Sequence, residues 1–112
     1  MALLERLQDK GLLKTDSYIG GKWQSSTKTF SVYNPAATHQ IVEVSDAEST
    51  LAIQAILSAR DALDGWKQTS ATARAKALLR WYALMIEAQS DLATILTWEQ
   101  GKPLAEAAQE IA

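Results

Sequence analysis

The sequence predicts an α+β chain: a short N-terminal helix and a β-hairpin, followed by several α-helices. Three observations predict it. Residues 17–34 hold aromatic and β-branched residues in short runs on either side of a polar link. From residue 45 onward, apolar residues recur instead at three- and four-residue spacing, which places them on one helical face. Glycine and proline then fall between these stretches, at Gly11, Pro35, Gly65, Gly101 and Pro103, as structural punctuation.

Residues 2–11 read as the first helix, with Leu3, Leu4 and Leu7 on one side and Gly11 as its stop. Its polar face lacks the cationic excess of an interfacial helix, so the leucine stripe is expected to dock on its own protein. Residues 17–24 and 29–34 read as two strands forming a hairpin through the link Ser25-Ser26-Thr27-Lys28. Gly20-Gly21 is a turn or a bulge within the first of them. Asn34-Pro35 ends the second, because a residue before proline is driven to extended geometry. Residues 41–44 are a third, short strand candidate.

Residues 45–65 read as the next helix. Ser45 and Glu48 have the spacing of a capping box, with Asp46 as an alternative cap. Ala52, Ile53, Ile56, Leu57, Ala59 and Leu63 form its apolar stripe, Gly65 ends it, and Trp66 is expected to pack over that end. Thr69 or Ser70 opens a long helix over 71–89, striped by Leu78, Leu79, Tyr82, Met85 and Ile86. Ser90 and Asp91 suggest a new cap and an acid in the first turn of a helix over 91–100. Gly101 supplies a left-handed stop, and Pro103 opens a last helix from residue 104. That helix runs to Ala112 without a capping residue, which reads as a chain cut within a helix, or else as a natural end that frays.

Composition narrows the function classes. The chain has 112 residues, room for a single small domain, and a formal net charge of −2. No basic field invites nucleic acid. No apolar run approaches the ~20 residues of a membrane span. The first residues lack the basic-then-apolar order of a signal peptide, and a cytoplasmic setting is expected. There is no cysteine, which removes disulfides, thiolate metal sites and a cysteine nucleophile from these residues.

Several motifs carry a family resemblance. The run from Thr97 through Trp98, Glu99, Gln100, Gly101, Lys102, Pro103 and Leu104 to Ala107 resembles the Leu-Glu-Gln-Gly-Lys-Pro-Leu segment of NAD(P)-dependent aldehyde dehydrogenases, with Trp98 in place of the usual Leu. It is most similar to the succinate-semialdehyde dehydrogenase branch. Tyr18-Ile19-Gly20-Gly21-Lys22-Trp23 is similar to the family's early Tyr-Ile-x-Gly-x-Trp strand, and Val32-Tyr33-Asn34-Pro35-Ala36 to the Asn-Pro segment after it. Leu63, Trp66, Arg74, Ala75 and Leu78 follow the family's order around its alanine-rich helix.

The resemblance implies that residues 1–112 are the N-terminal portion of the family's cofactor-binding domain, a scaffold part. It implies NAD or NADP as cofactor of the full-length enzyme, the rest of the polypeptide as partner, and a homo-oligomer. In that family a cysteine thiolate attacks the aldehyde, hydride passes to the nicotinamide, and a glutamate activates water. The residues that do this are expected beyond Ala112. No catalytic, cofactor-binding or metal residue is therefore assigned within the chain, and the chain alone is expected to be inactive. The rival reading is a standalone helical module that binds a partner, or a non-catalytic gene remnant.

The individual candidates agree with that empty assignment. His39 is the only histidine and has no second ligand at metal spacing, so an exposed loop residue is expected. Gly101-Lys102 is not a phosphate loop: a helix precedes it, and Pro103 stands where Ser or Thr is needed. Glu99 and Glu106 lie across a helix break and read as solvated carboxylates rather than an acid–base pair. Trp23, Trp66, Trp81 and Trp98 lack interleaved basic residues and read as packing residues for a larger body.

Overall fold

The computed structural model describes residues 2–112. The chain runs α1 (Leu3–Arg6), a single 3₁₀ turn (Lys10–Leu12), β1 (Ser17–Ile19), β2 (Lys22–Gln24), β3 (Thr29–Tyr33), β4 (Gln40–Ser45), α2 (Ser49–Gln68), α3 (Ala71–Glu87), α4 (Gln89–Gln100) and α5 (Leu104–Ile111). The α+β class is as the sequence predicts. Its strand pairing is not.

Two separate hairpins replace the one expected across residues 25–28. β1 and β2 are antiparallel, with Tyr18 opposite Trp23 and Ile19 opposite Lys22. Gly20 and Gly21 turn the chain between them at φ +59° and +79°. Two successive positive φ values make the tight turn whose twist suits a hairpin, and glycine reaches them without a Cβ clash. β3 pairs with β4 from Thr29 opposite Ser45 to Val32 opposite Val42, after which Tyr33 faces Gln40 and Ile41 is the extra residue of a bulge. The 25–28 link joins the two hairpins.

The helix boundaries also shift where a side chain has a stronger partner than the one expected. α1 is one turn long because Leu7 is extended, at φ −89° and ψ 139°. Gly11 lies in the 3₁₀ turn, its N–H donating to the Asp9 carboxylate. Ser45 is not a helix cap. It ends β4, its Oγ accepts from the Ser26 N–H, and its backbone N–H donates to the Thr15 carbonyl. These bonds tie three segments at one crossing. α2 therefore starts later, with Glu48 at its N-cap and no side-chain cap bond.

Gly65 lies inside α2 rather than at its end, and Trp66 belongs to the helix. The corner to α3 uses both polar candidates: Thr69 Oγ1 donates to the Gly65 carbonyl, and Ser70 Oγ accepts from the Ala73 N–H. α3 and α4 are separated by Ala88 alone. Ser90 falls within α4, where its carbonyl accepts from Thr94 Oγ1. Gly101 ends α4 in the left-handed region at φ 83°, and α5 follows Pro103, as the sequence predicts.

Burial is concentrated where α4 meets α1 and α5. Leu3, Leu7, Ala93 and Ala107 are buried, and the two alanines let the helix backbones approach closely. Burying each leucine is worth about 1.5–3 kcal/mol. α2 and α3, the two longest helices, contain no buried residue. Among the described residues no helix is long and apolar enough to cross a membrane.

Candidate functional site

A cleft of about 550 Å³ lies between the N-terminal segment and the α3–α4 corner and is lined by Gln8, Asp9, Leu12, Leu84, Glu87, Ala88 and Asp91. Asp91 is its anchor. It stands in the first turn of α4 and is only 6% exposed. One carboxylate oxygen accepts from the Gln8 N–H at 3.0 Å and the other from the Asp9 N–H at 2.8 Å. Two amides left unpaired by the end of α1 are thus satisfied by one charge, which also sits favourably at the positive end of the helix dipole. With both oxygens engaged in holding the chain, Asp91 is a clasp, not a free acid or base.

A second junction brings the two most distinctive sequence motifs together. Asn34 Oδ1 accepts from the Ala36 N–H at 2.9 Å, and the Asn34 N–H donates to the His39 carbonyl at 2.9 Å. The loop this closes lies against the end of α4. Pro35 sits so near Gly101 that a Cβ there would meet Pro35 Cγ at 3.0 Å. His39 is exposed and meets the Trp98 ring edge-on, 5.5 Å between centroids. Glycine at 101 is required twice, by its φ and by this approach. A third tie, Gln89 Nε2 donating to the Ala108 carbonyl at 2.8 Å, fixes α5 on α4.

None of these places gathers reactive groups. Among the described residues no cluster of three His, Cys, Asp or Glu side chains is placed to hold a metal. Glu99 and Glu106 are exposed, and Lys102 pairs with Glu110. Nor do the glycines fit a dinucleotide. Gly20-Gly21 joins two strands, and Gly101 lies at a helix C-terminus, whereas pyrophosphate needs N–H groups at a helix N-terminus. Trp23, Trp66 and Trp81 are about half exposed or more, with Lys14 over the Trp23 ring.

The clasp at Asp91 is beyond sequence reasoning, which reads that residue only as a first-turn acid. Its partners are backbone amides some eighty residues away, and backbone donors leave no mark in a sequence.

Comparison with known proteins agrees with this architecture. Residues 23–112 match the aldehyde dehydrogenase family. The chain is 47% identical over 107 residues to 3-sulfolactaldehyde dehydrogenase of Pseudomonas putida, a match covering 94% of this chain and 22% of that protein. It superposes on the crystal structure of succinate-semialdehyde dehydrogenase from Burkholderia pseudomallei with a TM-score of 0.90 at 43% identity, covering 94% of this chain and 22% of that one. On the betaine aldehyde dehydrogenase of Staphylococcus aureus in complex with NAD+ the TM-score is 0.87 at 30% identity, covering 97% and 22%. The chain spans 22% of the length of each of these proteins. With the family matched across most of its length and the fold reproduced at these identities, the chain belongs to the aldehyde dehydrogenase family.

Proposed function

We propose that this chain is a scaffold portion of the cofactor-binding domain of an aldehyde oxidoreductase that uses NAD or NADP. Its part is to present α2–α5 and the two hairpins to the remainder of the polypeptide, which supplies the thiolate, the water-activating carboxylate and the dinucleotide turn. The carrying observation is the match over residues 23–112 together with a fold that superposes on full-length enzymes. The substrate is a short aldehyde bearing an anionic group, succinate semialdehyde first. Support for this comes from the identities of 47% and 43% to dehydrogenases named for sulfolactaldehyde and succinate semialdehyde, against 30% to one named for betaine aldehyde. A cytoplasmic homo-oligomer belongs to the same proposal, with neither nucleic acid nor membrane as partner.

By itself the chain neither oxidises aldehydes nor binds dinucleotide. It has no cysteine to attack a carbonyl, and no glycine turn leads from a strand into a helix N-terminus among the described residues. Calorimetric titration of the purified chain with NAD and with NADP tests this. The expected trace is dilution heat only. A saturable, stoichiometric signal at micromolar nucleotide overturns the empty assignment of site residues.

A further inference from the structure

We draw no further inference here: the strongest candidate, the cavity of about 360 Å³ that Arg6, Thr94, Thr97, Trp98 and Leu104 line between α1, α4 and the start of α5, has beside it a Thr97 hydroxyl with no hydrogen-bond partner among the described residues, but that oxygen is itself buried out of a ligand's reach and nothing in the structure shows what occupies the cavity.

Discussion

Asp91 holds the N-terminal segment by two charge-assisted bonds, so its removal leaves two amides without partners. Asp91→Ala should cost about 2–3 kcal/mol in chemical denaturation and raise hydrogen exchange at Gln8 and Asp9. Asp91→Asn keeps only one acceptor oxygen and should lose about half as much. Thr38 makes the opposite case. It is the one described residue other than glycine with positive φ, at 54°. A β-branched residue is strained there, so Thr38→Gly should raise the unfolding free energy measured by chemical denaturation by about 1 kcal/mol.

At the scale of elements, the two helix glycines make a paired prediction. Gly65 lies inside α2, where an added Cβ would meet nothing within 4 Å, so Gly65→Ala should stabilise by about 1 kcal/mol. Gly101 sits at φ 83° against Pro35, and Gly101→Ala should destabilise by about 1–2 kcal/mol. Thermal melts of the two variants should move in opposite directions. The same pair explains what is legible in the sequence. Gly101 is readable because a left-handed stop is a local need, followed at once by Pro103. Gly65 reads wrongly as a stop because a glycine within an otherwise periodic helix looks the same as one after it. Likewise Ser45 and Glu48 have capping spacing, but the Ser45 hydroxyl is engaged by Ser26, a partner no local pattern reveals. The strands are legible and their pairing is not, since Gly20-Gly21 and the Asn34–His39 loop both outcompete the polar link as turns. The Asp91 clasp is not legible, because both of its partners are backbone amides.

For the whole molecule, a radius of gyration of 16.6 Å exceeds the roughly 13 Å expected for a compact domain of this length. The extents of 47 × 34 × 20 Å describe a slab. Such a body with open apolar helices should enhance the fluorescence of an apolar dye and self-associate as concentration rises. Light scattering that finds a concentration-independent monomer without dye binding would count against these open helices.

The clasp between residues 8–9 and 91 also has a consequence in time. The hairpins and α2 can form as soon as their own residues have been made. The segment around residues 3–9 must wait for α4. At about 5–20 residues per second, some eighty residues of synthesis take roughly 4–16 s. During that interval Leu3 and Leu7 have no surface to bury against, and their segment is open to chaperones and proteases. The earliest of these elements to leave the ribosome is thus among the last to settle, and its docking marks the completion of α4.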